Sequence, residues 1–135
     1  MQYPISFTQL EEGLSIYIPT PALVKSTYEQ LLTKDAHTAF PFWAKEWAAS
    51  KALNRFLKAR PEYIKGKRVL EIGAGLGIPS LTIALQTHEI VISDHNKDAV
   101  ALLQKNIHTL GLNNAKAICL DWNQFPKDLK FDTIL

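Results

Sequence analysis

The residues with the clearest chemical meaning are three glycines at alternate positions, Gly73, Gly75 and Gly77, which closely follow the acidic Glu71. Glycines have no Cβ, so they let the backbone turn sharply and approach a ligand closely. A dinucleotide-binding turn has the spacing GxGxxG, whereas here the third glycine comes one position early and Ile78 stands in its place. The spacing argues against a nicotinamide or flavin site.

The charge of Glu71 favours a cationic ligand. A dinucleotide presents its pyrophosphate to a turn of this kind, and a neighbouring carboxylate would repel it. S-Adenosylmethionine instead presents an ammonium group and a sulfonium, both of which a carboxylate attracts. The sequence therefore predicts S-adenosylmethionine as the cofactor.

Acidic residues also follow the next two apolar runs. Asp94 lies 21 residues after Gly73, where a carboxylate can accept hydrogen bonds from both ribose hydroxyls. Asp121 suits the adenine amino group, and the indole of Trp122 suits the face of the ring. Each residue could instead have a structural role, but their order and spacing together predict a cofactor site. Its predicted members are Glu71, Gly73, Gly75, Gly77, Asp94, Asp121 and Trp122.

An alternation of strand and helix patterns positions these residues. Strands are predicted at 68–72, 89–93, 115–120 and 131–135, with helices at 78–86 and from Asn96 to Leu110. Such alternation builds a parallel sheet with right-handed crossovers and helices on both faces. We therefore expect an α/β, Rossmann-like three-layer sandwich with a mostly parallel sheet, whose ligand site lies beyond the carboxyl ends of the strands.

The N-terminal part is expected to be an extension, residues 1–40, ahead of a core at 41–135. Alternating apolar residues on both sides of Glu11-Glu12-Gly13 predict a short hairpin. A modest helix follows at 22–34, with an apolar stripe of Leu23, Tyr28, Leu31 and Leu32.

A second N-terminal helix is predicted at 44–58. It should present Ala49, Leu53, Phe56 and Leu57 on one apolar face. Pro61 should end it, because the residue before a proline disfavours helical geometry.

Composition narrows the function classes. A chain of 135 residues with 47% hydrophobic content can bury one core, and a net charge of +2 gives no reason to expect a nucleic-acid partner. The apolar runs are shorter than the roughly 20 residues that a membrane helix needs, and the N-terminus lacks a signal-peptide pattern, so we expect a cytoplasmic protein that binds no membrane. One cysteine and four unclustered histidines predict no metal site.

The motifs EIGAGLG, ISD and DW resemble those of the class I, seven-stranded S-adenosylmethionine-dependent methyltransferases. The segment PFWAKEWAASKALNRFL followed by KGKRVLEIGAGLGIPSL is similar to the branch that contains the protein-lysine methyltransferases, including the enzyme that modifies the electron-transfer flavoprotein β subunit. The resemblance implies N-methylation of a protein lysine and a tryptophan-bearing segment folded over the cofactor. It makes Trp47 a likelier cofactor neighbour than Trp43 and assigns no catalytic acid or base.

Other interpretations remain open. The chain could bind cofactor without catalysis, methylate a small molecule, or be an NAD(P)-dependent oxidoreductase. The resembling fold continues for three more strands, whereas this chain stops at 131–135, inside its predicted fourth strand. An uncovered strand edge invites pairing with another chain. We therefore expect either a truncated form of a longer protein or a homo-oligomer that covers this edge.

Overall fold

The structure, a computed structural model, describes residues 1–10 and 13–135. Its strands are β1 (Ile5–Gln9), β2 (Ser15–Pro19), β3 (Arg68–Glu71), β4 (Glu89–Asp94), β5 (Ala115–Cys119) and β6 (Thr133–Ile134). Its α-helices are α1 (Pro21–Lys34), α2 (Ala48–Ala59), α3 (Ile78–Ile83) and α4 (Lys97–Thr109). Short 3-10 helices lie at Phe42–Ala44, Pro61–Tyr63, Ala84–Gln86 and Trp122–Gln124.

The central sheet has the strand order β5-β4-β3-β6, and its neighbouring strands are parallel. The α/β, Rossmann-like fold predicted from the sequence is confirmed. The chain moves outward from β3 through β4 to β5 and then returns to place β6 on the other side of β3. Ligands of open α/β sheets bind where the strand order reverses, so the end of β3 is the expected site.

One face of the sheet carries the main core. Val69, Ile90 and Ile92 are fully buried there among residues of α2, α3 and α4. Consecutive right-handed crossovers in one direction put their helices on the same face. The helical part of the return from β5 to β6 is the 3-10 turn Trp122–Gln124. The described residues between β5 and β6 thus form no α-helix, in agreement with the order of elements predicted from the sequence.

The predicted hairpin is present, since β1 and β2 pair in antiparallel fashion. Glu11 and Glu12, within its predicted turn, lie outside the described residues. In α1 the predicted stripe is partly wrong, because Leu23 is exposed and Val24 packs against the core instead, whereas Tyr28 packs there as predicted. The division of the chain at residue 40 stays a prediction.

The second helix begins later than its pattern predicts. Residues 42–44 form a 3-10 turn, and α2 starts at Ala48. Its predicted apolar face is partly wrong, because Ala49 and Phe56 are exposed and the polar Asn54 is buried, whereas Leu57 is buried as predicted. The buried side of α2 thus includes the polar Asn54, which hydrophobicity alone could not assign to it.

The start of α4 follows the sequence closely. Asn96 caps the helix, with its side-chain oxygen accepting hydrogen bonds from the backbone N–H groups of Asp98 (2.9 Å) and Ala99 (3.1 Å). Val100 and Leu103 are buried as the apolar stripe predicts. This helix therefore fixes the end of β4, where Asp94 lies.

Asn106 of α4 joins the hairpin to the core. Its Oδ1 accepts a hydrogen bond from the backbone N–H of Tyr17, and its Nδ2 donates to the carbonyl of the same residue, both at 2.8 Å. The side chain is 1% exposed, so both hydrogen bonds are made away from solvent. A buried amide that pairs with both main-chain groups of one residue holds β2 against α4.

Replacing Asn106 with alanine should lower the free energy of unfolding by about 1 to 3 kcal/mol, because Tyr17 would keep two buried polar groups without partners. Urea denaturation of the variant checks this value. Asn113→Ala is the matched control, since Asn113 is exposed, and it should change the free energy by less than about 0.5 kcal/mol. Equal losses in the two variants would contradict the role given to Asn106.

Candidate functional site

A cleft of about 380 Å³ opens at the carboxyl ends of β3 and β4. Its floor is the glycine turn that follows β3, and its outer wall is the segment between α1 and the first turn of α2. Trp122 closes the side beyond β5. Among the residues predicted as a site, the following line this cleft: Trp47, Glu71, Gly73, Gly75, Asp94 and Trp122.

The glycine turn is shaped by close contacts with its own chain as well as by room for a ligand. Gly73 and Gly75 have φ values of 64° and 54°, in the left-handed region that favours glycine. A Cβ on Gly75 would lie 3.1 Å from the carbonyl oxygen of Trp43. A Cβ on Gly73 would lie 3.2 Å from the Trp122 ring. The turn therefore lets two tryptophan-bearing segments close over the cleft.

Two predicted residues do not line the cleft. Gly77 lies behind it, where a Cβ would overlap Leu103 of α4, so this glycine serves packing between helices. Asp121 is exposed, and its Oδ1 accepts hydrogen bonds from the backbone and side-chain nitrogens of Asn123 at 2.9 and 3.0 Å. Its carboxylate caps a 3-10 turn, so an adenine contact stays a prediction.

Glu71 is a buried carboxyl group at the floor of the cleft, 6% exposed. It accepts a hydrogen bond from the hydroxyl of Ser80, which is itself buried in α3. Burial, with a smaller contribution from the nearby Asp94, raises the pKa of the Glu71 carboxyl to about 7 even though the hydrogen bonds from Ser80 oppose the shift. The Glu71 carboxyl group therefore gains or loses its proton near neutral pH.

Asp94 ties the glycine turn to the start of α4. Its Oδ2 accepts a hydrogen bond from the N–H of Gly75, and its Oδ1 accepts one from the N–H of Asn96, each at 2.8 Å. His95 Nδ1 lies 3.4 Å from Oδ1. A carboxylate has about four acceptor positions, so some remain for a ribose hydroxyl. Asp94 both shapes the site and can bind a ligand there.

Aromatic rings surround the mouth of the cleft. Phe42 and Trp47 have ring centroids 6.3 Å apart, and Phe40 lies 5.0 Å from Phe42. All three rings are more than two-fifths exposed, as is Trp122. Trp43, by contrast, is buried and packs edge-on against Tyr3. Trp43 therefore anchors the segment. Of the two tryptophans in this segment, Trp47 is the one whose ring is exposed.

Sequence reasoning missed other residues of the lining. Phe40 and Phe42 belong to it, as do Lys45, Ser50 and Asn96. The missed signal was the density of aromatic residues immediately before Trp47, in a stretch that propensity alone assigns to a loop. A second, larger and mainly apolar cavity of about 710 Å³ adjoins this lining beneath β2 and α1.

A family model described as lysine methyltransferase matches residues 29–135. The chain belongs to this lysine methyltransferase family. It is 41% identical over 85 residues to a calmodulin-lysine N-methyltransferase of Arabidopsis thaliana, covering 58% of this chain and 28% of that protein. It is 34% identical over 116 residues to a histidine protein methyltransferase 1 homolog of Dictyostelium discoideum, covering 80% and 38%. The resemblance seen in its motifs is confirmed.

An electron transfer flavoprotein beta subunit lysine methyltransferase of Rattus norvegicus is 31% identical over 74 residues, covering 54% of this chain and 29% of that protein. This chain of the lysine methyltransferase family spans between about a quarter and two-fifths of the length of the curated relatives it matches.

Solved methyltransferase structures share the fold. Trm5b from Pyrococcus abyssi superposes with a TM-score of 0.60 at 17% identity, covering 93% of this chain and 31% of that one. A coclaurine N-methyltransferase bound to N-methylheliamine and S-adenosylhomocysteine gives 0.55 at 18% identity, covering 68% and 29%. At these identities the likeness concerns the fold alone.

Proposed function

We propose that this chain is the cofactor-binding part of an S-adenosylmethionine-dependent methyltransferase that methylates a side-chain nitrogen of a protein, with lysine as the acceptor. The observation that carries the proposal is the cleft itself, which gathers Glu71, the turn at Gly73–Gly75, Asp94 and exposed aromatic rings at the ends of β3 and β4. Family membership and the lysine methyltransferases among the relatives support the reaction and the acceptor.

The side chains of the cleft fit the functional groups of the cofactor. Glu71 suits an ammonium group, and Asp94 retains acceptor positions for a ribose hydroxyl. The exposed ring of Trp122 suits the face of an adenine. These residues would hold the cofactor with its amino-acid part toward the turn at Gly75 and its base toward Trp122.

When bound, S-adenosylmethionine supplies a methyl group activated by a sulfonium. The protein's part is to place a neutral nitrogen in line with that methyl at about 3 to 3.5 Å. Rings such as Phe42 and Trp47 at the mouth exclude water from the acceptor, and removal from water favours the neutral form of a lysine. An indole face also attracts a positive charge, by roughly 0.5 to 2 kcal/mol.

Histidine is a second candidate acceptor. One relative, whose alignment covers 80% of this chain, is described as a histidine protein methyltransferase 1 homolog. An imidazole is largely neutral at pH 7, so it would need less help from the site to present a free nitrogen. Substrate identity therefore has two candidates, lysine and histidine, within one reaction class.

The remaining expectations about partners and location stay predictions. They are a protein substrate, no nucleic-acid partner, a cytoplasmic location and association of copies through the outer edge of β6. Among the helices of the described residues, none combines the length and apolar character that crossing a bilayer requires.

Transfer of a labelled methyl group tests the proposed function. The chain is incubated with methyl-tritiated S-adenosylmethionine and a cell lysate, and the labelled protein is hydrolysed to amino acids. Methyllysine supports the first acceptor and methylhistidine the second, and the Asp94→Asn variant serves as the control with an impaired cofactor site. Label that ribonuclease removes would contradict a protein acceptor. Bound cofactor without incorporation would favour the interpretation as a binding module.

A further inference from the structure

The charges that line the cleft are unequal in number. Glu46, Glu71 and Asp94 contribute carboxylates, whereas Lys45 is the one lysine or arginine among the described residues of the lining. A cofactor with an amino-acid part brings an ammonium group and a carboxylate on the same carbon. Glu71 can attract the ammonium, but the adjacent carboxylate then lies in a site rich in negative charge and needs a cation.

Lys45 lines the same cleft as Gly75, toward which the amino-acid part of the cofactor is expected to lie. It belongs to the segment 43–47, whose main chain crosses Gly75 at Trp43. Its Nζ lies 4.7 Å from the ring centroid of Trp47. A cation held by an aromatic face keeps its capacity to bind an anion, because its attraction to a ring is weaker than a charge-assisted hydrogen bond.

We propose that Lys45 binds the carboxylate of the methionine part of the cofactor, opposite Glu71. The inference rests on the proposed function and assigns a recognition role to a residue of its site. Lys45 then binds the carboxylate of the amino-acid part, and Glu71 binds its ammonium group. A ligand that lacks either charge loses one of the two contacts.

A double comparison of protein and ligand isolates this contact. Wild type and Lys45→Met are titrated calorimetrically with S-adenosylmethionine and with decarboxylated S-adenosylmethionine, which lacks the carboxylate and keeps the ammonium and sulfonium. Methionine preserves the length and apolar stem of the side chain. We expect the variant to bind S-adenosylmethionine about threefold to tenfold more weakly, as for the loss of one hydrogen bond. The decarboxylated ligand should bind both proteins equally or bind the variant slightly more tightly.

Lys25→Met is the matched control for a change of net charge. Lys25 lies on α1, where it lines the adjoining larger cavity but not the cleft, with its ammonium 3.8 Å from Glu29. This variant should bind both ligands as the wild type does. A similar loss of affinity in the control would show a general effect of charge and overturn the assignment of Lys45.

Two other results would also overturn the inference. If Lys45→Met binds S-adenosylmethionine as tightly as the wild type, Lys45 does not hold the carboxylate. Tighter binding by the variant would mean that Lys45 instead opposes the sulfonium. If the variant loses affinity for both ligands equally, its role is structural. Wild type that binds neither ligand would refute the proposed function itself, and that failure is distinct because it appears before any variant is compared.

Discussion

Replacing Gly77 with alanine should lower the free energy of unfolding by about 3 kcal/mol. The residue has a φ of 64°, and an L side chain in this region costs roughly 1 to 2 kcal/mol. A Cβ would also overlap Cδ2 of Leu103 and lie 3.3 Å from Cγ2 of Ile92. Both neighbours are fully buried, so they can yield little, and overpacking of this kind costs about 1 to 3 kcal/mol more.

Gly111→Ala separates the two causes. Gly111 has a φ of 65°, but nothing lies within 4 Å of the position its Cβ would take. Its substitution should cost the backbone strain alone, about 1 to 2 kcal/mol. Chemical denaturation of both variants gives the difference. Equal destabilisation by the two alanines would mean that the contact with Leu103 adds no cost, and that Gly77 is required by its backbone angle only.

Replacing Glu71 with glutamine should stabilise the free protein above neutral pH. Burial raises the pKa of Glu71 from 4.5 to about 7, so the folded state holds its proton more tightly than the unfolded state does. Ionisation therefore costs stability as pH rises from about 4.5 to 7, and the cost stays in place above pH 7. At 1.36 kcal/mol per pKa unit, the cost is about 3 kcal/mol.

Glutamine removes this cost because it has no charge and its Oε1 can still accept the hydrogen bond from Ser80. The variant should be more stable than wild type at pH 8 by up to about 3 kcal/mol, and the two proteins should converge toward pH 4.5. Urea denaturation at both pH values measures the gap. A variant that is less stable than wild type at pH 8 would contradict the buried, costly carboxylate.

The same substitution should weaken cofactor binding. A glutamine cannot balance the ammonium of the ligand, and one charge-assisted bond is worth about 1.5 to 3 kcal/mol, or at least tenfold in affinity. In wild type, the affinity for S-adenosylhomocysteine should rise between pH 6 and pH 8, because Glu71 loses its proton in this range. In the variant the affinity should be nearly constant there. Equal pH profiles would show that Glu71 does not face the ammonium.

The sequence predicted most of the fold because local patterns determine most of it. Short apolar runs followed by glycine or aspartate identified β3 and β4, and Asn96 marked the start of α4 by its capping chemistry. The start of α2 was misplaced because Ala44 ends a 3-10 turn and the backbone of Lys45 and Trp47 is extended before the helix begins. Hydrophobic periodicity does not distinguish such a turn from the first turn of a helix.

The candidate site was predicted from the charge and spacing of its residues. The prediction differs from the structure at positions whose surroundings are set by tertiary contacts. Glu71 and Asp94 line the cleft because the carboxyl ends of adjacent parallel strands lie side by side. Gly77 was assigned to the ligand, yet α4 occupies the space beside it. The hairpin contact of Asn106 with Tyr17 joins residues 89 positions apart, and no local pattern could indicate it.

The most direct measurement is calorimetric titration of this chain with S-adenosylhomocysteine, in wild type and in Asp94→Asn. Asparagine keeps the shape of the side chain and loses the charge that favours hydrogen bonds from ribose hydroxyls. The affinity of the variant for S-adenosylhomocysteine should therefore fall about tenfold or more. Asp128→Asn, at an exposed position, should bind as wild type does, and thermal unfolding confirms that each variant is folded. Equal affinity of Asp94→Asn and wild type, or a folded wild type that binds no S-adenosylhomocysteine, would contradict a cofactor site in this cleft.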